Sequence, residues 1–270
     1  MASNPEFLRE GSAIEDFMRP NRVVIGAETD RSKEIMREIY RPLYLLETPI
    51  VFTSIRTAEL IKYASNAFLA VKISFINEMS DLCEKTGANV NEVAKGLGLD
   101  KRIGPKFLHA GVGYGGSCLP KDVSAIIRTA GDADAELRVI SAASDVNKAR
   151  IDRLLEKLES EIPDLSGKRI AVLGLAFKPN TDDLRHAPSL RLIDILLERG
   201  VTVAAYDPIA MENAPEIRTP NRFSAASCGT RLTLVKFTSS VTTVTQSRDR
   251  RHYQSLLARI GFMIQAATMT

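Results

Sequence analysis

The chain contains 270 residues, of which 44% are apolar and 26% are charged, and its formal net charge is +3. This length gives room for one large or two modest domains around a hydrophobic core, and the composition excludes the disordered and fibrous classes of protein. No window reaches the ~18 uninterrupted apolar residues of a membrane span, and residues 1–10 lack the layout of a secretory signal peptide, which together favour a cytoplasmic protein without a membrane partner.

Residues 1–54 predict a short α/β segment. A β-branched run at residues 22–26 ends in glycine and is followed by a capped turn and a periodic stretch at residues 33–40, which indicates a strand and then a helix. A second β-rich run covers residues 48–53. We therefore expect two strands and one helix before the central part of the chain.

The longest periodic segment is residues 56–85, which contains neither Gly nor Pro. Its apolar residues recur at steps of three and four, which predicts one helix of about eight turns. Shorter helical patterns follow at residues 89–96 and 123–158, so residues 55–148 are expected to form an all-helical domain. The apolar stripe of the long helix exceeds what one small lobe can cover, which favours packing against a second copy of the chain.

After the helical domain, the hydrophobic period changes. A continuous apolar run at residues 168–174, an amphipathic helix at 189–199 and a second run at 201–206 predict two parallel strands joined by a crossover helix. The expected architecture is therefore α/β, with a short α/β segment at 1–54, the helical domain at 55–148 and a partial Rossmann-like parallel-sheet domain at 149–216.

The last part of the chain differs in composition from the rest. Residues 217–270 hold eight Lys and Arg against one acid, whereas residues 1–216 hold 28 against 32. The same segment contains fifteen Ser and Thr and shows little sustained periodicity, which predicts a divergent, disordered tail. A nucleic-acid-binding arm is the alternative, but no aromatic residues interleave with the basic ones, so we expect no nucleic-acid partner.

A glycine-rich loop at residues 113–122 contains a candidate nucleophile, Cys118. Glycine lets a ligand approach the backbone closely, Lys121 could help to hold a thiolate, and Asp122 could handle a proton. A buried structural cysteine in a tight loop is the alternative interpretation. Cys83 has helical spacing to its apolar neighbours, which indicates packing.

Two further pairs of polar residues are spaced for one helix face. Lys62 and Asn66 are four residues apart on the long helix, where a cation and an amide together could stabilise an oxyanion. Glu6 and Glu10 are likewise one turn apart if Pro5 begins a helix. A solvated stripe and ordinary first-turn carboxylates are the respective alternatives.

The strand that ends at Gly174 is not followed by the phosphate-binding pattern G-x-G-x-x-G. Lys178 and Arg185 nevertheless add positive charge there, so a nucleotide-binding lobe and a purely structural unit both remain open. The three histidines are dispersed and the three cysteines lack C-x-x-C spacing, so we expect neither a metal site nor a disulfide framework.

Five segments, in one order along the chain, resemble the UDP-glucose/GDP-mannose dehydrogenase family, and most of all its UDP-glucose-oxidising members. The resemblance covers residues 3 to 214 and is specific because the five matches keep the family's order. The matching segments are NPEFLREG at 4–11, ELIKYASNAF at 59–68, RIGPKFLH at 102–109, GYGGSCLPKD at 113–122 and IAVLGLAFKPNTDDLR at 170–185.

The resemblance implies an NAD-dependent, two-step oxidation of UDP-glucose at C6 to UDP-glucuronate. In that scheme Cys118 forms a thiohemiacetal and then a thioester. Lys62 and Asn66 stabilise the oxyanions, Asp122 assists proton transfer through water, and Glu6 serves hydrolysis of the thioester. A related nucleotide sugar, GDP-mannose or UDP-N-acetylmannosamine, is the alternative substrate.

The resemblance also implies binding positions and an assembly. Glu10 and Arg185 match positions near the dinucleotide, and the long helix matches the part of the family that forms a homodimer. The positions implied to hold the nucleotide sugar are Phe7, Leu8, Arg102, Gly111, Tyr114, Gly115 and Lys178.

Two departures from the family pattern bear on activity. Family members begin with an NAD-binding Rossmann domain that carries a glycine fingerprint and a catalytic threonine, and residues 1–54 resemble only the end of it. Beyond Asn213 the expected strands and helices are replaced by a composition that a shifted reading frame would produce. A truncated remnant that dimerises without turnover is therefore the alternative to a complete dehydrogenase, because hydride transfer needs a positioned nicotinamide.

Overall fold

The computed structural model describes residues 1–214, 232–237 and 242–247. Two compact units make up the described chain. The first unit contains residues 1–109 and 114–148, and the second contains residues 110–113 and the described residues from 149 onward. No helix among the described residues is both long enough and apolar enough to cross a membrane.

The first unit begins with a three-stranded sheet whose central strand is parallel to one neighbour and antiparallel to the other. In chain order its elements are β1 (Ala2–Ser3), α1 (Ala13–Met18), β2 (Val23–Ala27), α2 (Asp30–Tyr40), a 3-10 helix (Arg41–Leu46) and β3 (Ile50–Thr53). β2 is the central strand and all five of its residues are buried. The two strands and the helix predicted from periodicity are confirmed.

The predicted long helix is confirmed as α3 (Ile55–Thr86), which runs for 32 residues. The Ser54 hydroxyl accepts the N–H of Thr57 at its start, and Gly87 in the left-handed conformation ends it. The start of α3 lies so close to β2 that a Cβ on Gly26 would be 2.6 Å from the Ile55 Cα. Glycine is therefore required at this contact, which fixes the position of α3 against the sheet.

The next three helices after α3 begin in the first unit, and the pattern predicted over residues 123–158 is divided between two of them. They are α4 (Val90–Leu99), α5 (Leu119–Asp132) and α6 (Arg138–Glu161), of which α6 belongs to the first unit as far as Lys148. Ala70 of α3, Val123 of α5 and Tyr114 form a buried cluster. This packing sets the first turn of α5 beside α3.

The second unit is built on a four-stranded sheet in the order β5-β4-β6-β7. Its elements are β4 (Arg169–Leu173), α7 (Pro188–Glu198), β5 (Thr202–Tyr206), β6 (Leu232–Phe237) and β7 (Thr242–Ser247). β4 is parallel to both of its neighbours, which confirms the predicted strand–helix–strand unit, and β7 is antiparallel to β6. The core contains fully buried side chains from α6, β4, α7 and β5: Leu158, Ile170, Leu192, Leu196 and Val203.

Strands β6 and β7 lie within residues 217–270, where a divergent, disordered tail was predicted, and they correct that prediction for these twelve residues. The overall composition of the segment did not indicate these strands, because it is polar and basic. Their sequences, LTLVKF and TTVTQS, are nevertheless rich in β-branched residues, which suit strands. The other residues from 215 onward, with Cys228 among them, lie outside the described residues, and the disorder expected there stays a prediction.

Candidate active site

The first polar contact of the candidate site joins the N-terminal segment to α3. Lys62 Nζ lies 3.2 Å from Glu6 Oε1, and the N–H of Leu8 donates to Glu6 Oε2 at 2.6 Å. The Lys62 side chain is only 17% exposed, whereas that of Glu6 is 55% exposed. Lys62 is therefore not part of a solvated stripe, and the Glu6 carboxylate is held by two donors while it remains in contact with water.

No helix begins at Pro5, so the condition under which Glu6 and Glu10 would share a helix face is not met. The structure describes residues 4–9 without a helix, and the first helix, α1, begins at Ala13. Side-chain carboxylates, rather than a helical ladder, accept the N–H groups here: Glu6 takes that of Leu8, and Asp16 takes that of Arg9 at 2.7 Å. Glu6 and Glu10 therefore do not share a helix face, and Glu6 meets Lys62 instead.

The second contact joins α3 to α5. Asn66 Nδ2 donates to Asp122 Oδ2 at 2.6 Å, and Lys121 Nζ lies 3.7 Å from Asp122 Oδ1. The Asp122 side chain is only 4% exposed. A buried carboxylate is costly unless both oxygens have partners, and these two side chains supply them. Lys62 and Asn66, which their spacing placed on one helix face, thus each contact a predicted acidic residue: Lys62 contacts Glu6, and Asn66 contacts Asp122.

Cys118 is exposed and immediately precedes α5, whereas Cys83 is buried in α3. The Cys118 carbonyl accepts the N–H of Asp122 at 2.9 Å, so Cys118 occupies the N-terminal end of α5. Ser117 Oγ is 3.6 Å from the Cys118 sulfur. The alternative of a buried structural cysteine is excluded for Cys118.

Tyr114, in the loop before Cys118, is held by a residue that sequence reasoning missed. Asn147 Oδ1 accepts the N–H of Tyr114 at 2.7 Å, and Asn147 Nδ2 donates to the Tyr114 carbonyl at 3.1 Å. Tyr114 is buried, and this burial raises the pKa of its phenol, although a hydrogen bond with Ser144 opposes the shift. The neighbouring Gly115 and Gly116 are also buried. This burial and the two hydrogen bonds to Asn147 fix the position of the loop.

Arg22, which immediately precedes β2, is the second residue that sequence reasoning missed, and it contacts Phe7. The Arg22 guanidinium carbon lies 3.9 Å from the centroid of the Phe7 ring, and Lys62 Nζ lies 5.5 Å from it. Arg22 also donates to Ser65 Oγ on α3 at 3.3 Å. Two cations thus hold the Phe7 ring by cation–π contacts. The side chain of Leu8 is 37% exposed, so it can meet a ligand.

Arg102 is exposed, and its side chain contacts Asp100. Its guanidinium binds both oxygens of Asp100, which holds the pKa of that carboxyl below its ordinary value. Lys72 of α3 donates to the carbonyl of Ile103 at 3.0 Å, which ties this loop to the long helix. Glu10 is also exposed.

The second unit contains the remaining predicted positions. The Gly111 carbonyl accepts a hydrogen bond from Arg150 Nε at 3.1 Å. Lys178 Nζ lies 5.4 Å from the centroid of the Phe177 ring. Arg185 binds both oxygens of Asp183, with Nη2 to Oδ2 at 2.8 Å, so its guanidinium already has a carboxylate partner.

The turn between β2 and α2 does not fit the phosphates of a dinucleotide. Such phosphates bind where glycines allow close approach to the N-terminus of a helix. Here the turn reads Ala27-Glu28-Thr29, the Thr29 hydroxyl accepts the N–H of Ser32, and Glu28 and Asp30 place negative charge beside that helix end. Among the described residues there is also no group of three His, Cys, Asp or Glu that could hold a metal ion.

Three domain models of one family match the chain. They describe the UDP-glucose/GDP-mannose dehydrogenase family: its NAD binding domain at residues 1–44, its central domain at 56–149 and its UDP binding domain at 171–253. The match to the UDP binding domain extends beyond residue 214, to which the resemblance was traced, and includes β6 and β7.

The chain is similar to curated relatives and to solved structures. It is 56% identical to UDP-glucose 6-dehydrogenase of Rhizobium meliloti, over 80% of this chain and 50% of that protein. A UDP-glucose dehydrogenase from Pyrobaculum islandicum matches with a TM-score of 0.76 at 46% identity, over 78% of this chain and 48% of that one. A UDP-D-ManNAc dehydrogenase from Pyrococcus horikoshii matches with a TM-score of 0.67 at 30% identity, over 77% and 49%. The chain spans about half the length of these relatives.

Proposed function

Because the chain belongs to the UDP-glucose/GDP-mannose dehydrogenase family, we propose that it carries the substrate-side residues for oxidation of UDP-glucose to UDP-glucuronate with NAD. The observation that supports this most is the pair of contacts in the first unit, Lys62 with Glu6 and Asn66 with Asp122. These four residues and the exposed thiol of Cys118 are the groups that acyl chemistry on a sugar aldehyde needs.

Cys118 is the proposed nucleophile toward the C6 aldehyde. Its thiolate forms a bond to the aldehyde carbon, and the carbonyl electron pair moves to the oxygen, which gives a thiohemiacetal. Lys62 and Asn66 donate hydrogen bonds to the developing oxyanion. An amide nitrogen carries two N–H groups, so the bond from Asn66 to Asp122 orients the amide without exhausting it.

Two proton transfers are assigned to carboxylates. Asp122 exchanges a proton with the reacting oxygen through a water molecule. Glu6, which is half exposed, takes a proton from the water that attacks the thioester; the carbon–sulfur bond then breaks, and Cys118 leaves as a thiolate. NAD, when bound, accepts the hydrides of the reaction. Since the β2–α2 turn does not fit dinucleotide phosphates, no hydride-transfer step follows from the described residues.

The binding positions implied by the resemblance are assigned to ligands in both units. In the first unit, Phe7, Leu8, Arg102, Tyr114 and Gly115 are assigned to the nucleotide sugar, with Glu10 toward the dinucleotide. In the second unit, Gly111 and Lys178 are assigned to the nucleotide sugar, with Arg185 toward the dinucleotide. The match of the second unit to a UDP binding domain supports a uridine nucleotide over other nucleotides.

Protection of Cys118 from alkylation tests the proposal without any cofactor. UDP-glucose oxidised to the aldehyde at C6 should slow iodoacetamide labelling of Cys118 several-fold, because the thiohemiacetal removes the thiolate. The same sugar aldehyde without UDP is the control ligand. A Lys62→Met chain should lose the protection while its melting temperature stays near that of the wild type. Equal labelling with and without the UDP-sugar aldehyde would contradict the proposal.

A second candidate function is dimerisation without turnover. α3 presents four apolar side chains that are 42–65% exposed and recur at steps of seven or eight residues: Leu60, Phe68, Phe75 and Leu82. Such a stripe on one helix face favours a homodimer. Phe68→Glu should turn a dimer into a monomer in sedimentation, whereas Arg56→Glu, also exposed on α3, should not. NADH formation at background by the wild-type dimer would support this function over complete catalysis.

A further inference from the structure

Asp207, at the end of β5, has a carboxylate that accepts four backbone N–H groups. Leu175 and Ala176 donate to Oδ2 at 2.8 and 3.1 Å, and Ile209 and Ala210 donate to Oδ1 at 2.8 Å each. Asp207 is only 6% exposed. The carboxylate therefore joins two loops, the one that follows β4 and the one that follows β5.

This environment favours the ionised side chain. Burial raises the pKa of Asp207, but the four backbone hydrogen bonds outweigh burial and hold that pKa below its ordinary value. A protonated carboxyl, or an asparagine amide, would turn a donor toward at least one of the four N–H groups. The position thus requires a carboxylate, and no other side chain of this size satisfies all four donors.

The loop after β4 is the segment that leads to Lys178. Asp207 fixes its first two amides, Ser189 Oγ donates to the Leu175 carbonyl at 2.5 Å, and the N–H of Phe177 donates to the Asp183 carbonyl at 3.2 Å. Lys178 comes directly after these anchored residues. Its direction of approach to a ligand therefore depends on how firmly the loop is held.

In doubly wound sheets, backbone amides just beyond the carboxyl end of a strand are the usual cradle for nucleotide phosphates. In this chain those amides already bind an anion, the carboxylate of Asp207. The absence of the G-x-G-x-x-G pattern after β4 agrees with this arrangement. Those glycines would let a phosphate approach the backbone closely, and here the backbone N–H donors are already occupied.

We propose that Asp207 is a positioning residue for the nucleotide sugar: it occupies the amides that would otherwise cradle a phosphate and fixes the loop so that Lys178 meets the diphosphate. The inference rests on the proposed function to the extent that the ligand is a nucleoside diphosphate sugar. Asp207 itself does not touch the ligand.

A double-mutant cycle with UDP as the probe tests this coupling. Asp207→Asn should weaken UDP binding by about tenfold in calorimetry, because a strained loop misplaces Lys178. The combination with Lys178→Ala should bind no more weakly than Lys178→Ala alone. Asp164→Asn, an exposed Asp in the same unit whose Oδ1 accepts one N–H from Ser166, is the matched control and should bind as the wild type does. Additive losses, or unchanged affinity in a folded Asp207→Asn chain, would overturn the proposal.

A measurement on the wild-type chain needs no substitution. Addition of UDP should shift the amide NMR signal of Lys178 more than those of Leu175 and Ala176, whose N–H groups remain on Asp207. Larger shifts at Leu175 and Ala176 would show phosphate in the cradle and would refute the proposal.

If the wild-type chain binds no UDP, the proposed function fails, and hydrogen exchange then decides about the loop. The amides of Phe177 and Lys178, neither of which is bonded to Asp207, should exchange faster in Asp207→Asn. Unchanged exchange there would mean that Asp207 does not hold the loop.

Discussion

Asp122 in the first unit and Asp207 in the second are both buried carboxylates, yet they are stabilised in different ways. The partners of Asp122 are two side chains, Asn66 and Lys121. The partners of Asp207 are four backbone N–H groups from two loops. Side chains can rotate when charge moves, whereas backbone amides cannot do so without moving the loop.

The difference separates a group that can take part in chemistry from a group that maintains geometry. The Asn66 amide can turn to present a different atom to Asp122, which suits the proton transfer proposed for that residue. Asp207 cannot accept a proton without losing a hydrogen bond to the backbone. Glu6 is a third and less buried carboxylate: it is half exposed and has one charged side-chain partner, Lys62.

The largest expected effect is on stability at Asp207. Asp207→Ala leaves four backbone N–H groups without an acceptor, two of them in buried and two in part-buried hydrogen bonds. We therefore expect a loss of about 3–5 kcal/mol in the free energy of unfolding of the second unit. Thermal and urea unfolding of the two chains measure the loss. Asp164→Ala, at an exposed Asp of the same unit, should cost about 0.5 kcal/mol or less. A loss at Asp207 as small as that at Asp164 would show that the four backbone hydrogen bonds of Asp207 contribute little to stability.

The free energy of unfolding should also depend on pH in a way that reports on Asp207. The pKa of Asp207 lies below its ordinary value of 3.8, so near that pH the unfolded chain binds more protons than the folded chain. The stability from Asp207 is therefore complete above the unfolded pKa and is lost as pH falls through the lower folded pKa. The difference in melting temperature between wild type and Asp207→Asn should stay constant down to about pH 5 and shrink below pH 3.8. A difference that already shrinks near neutral pH would show that another group titrates.

Periodicity was enough to predict the elements that carry the site. The spacing within α3 placed Lys62 and Asn66 on one face, and the two apolar runs predicted β4 and β5. Strands β6 and β7 were not predicted, because a polar composition masks short β-branched runs.

Partners that are distant in the chain could not be predicted either. Asn147 holds Tyr114 across 33 positions, and Asp207 reaches Leu175 across 32. Such pairs depend on tertiary packing that no local pattern encodes. The only local signal at Asp207 was an acid at the end of a buried strand, which equally indicates a turn.

A smaller effect is expected at Asp122. In Asp122→Asn the new amide can still present its oxygen to Asn66 Nδ2, so only the attraction of Lys121 is lost. We expect a cost of about 1 kcal/mol in the free energy of unfolding of the first unit. The protection of Cys118 by the UDP-sugar aldehyde should nevertheless fall, because the proton path through water is altered. A cost at Asp122 that equals the cost of Asp207→Asn would remove the distinction between side-chain and backbone partners.

The smallest effect on stability is expected at Glu6. Glu6→Gln keeps an oxygen for the N–H of Leu8 and removes only the charge attraction to Lys62, and a half-exposed pair of this kind contributes about 0.2–1 kcal/mol. A double-mutant cycle of Glu6→Gln with Lys62→Met measures the coupling, which should decrease further at high salt because exposed charges are screened. A coupling above about 2 kcal/mol would place Glu6 with the buried carboxylates. Glu6 would then be bound too tightly to its lysine to take a proton from water, and hydrolysis of the thioester would need a different base.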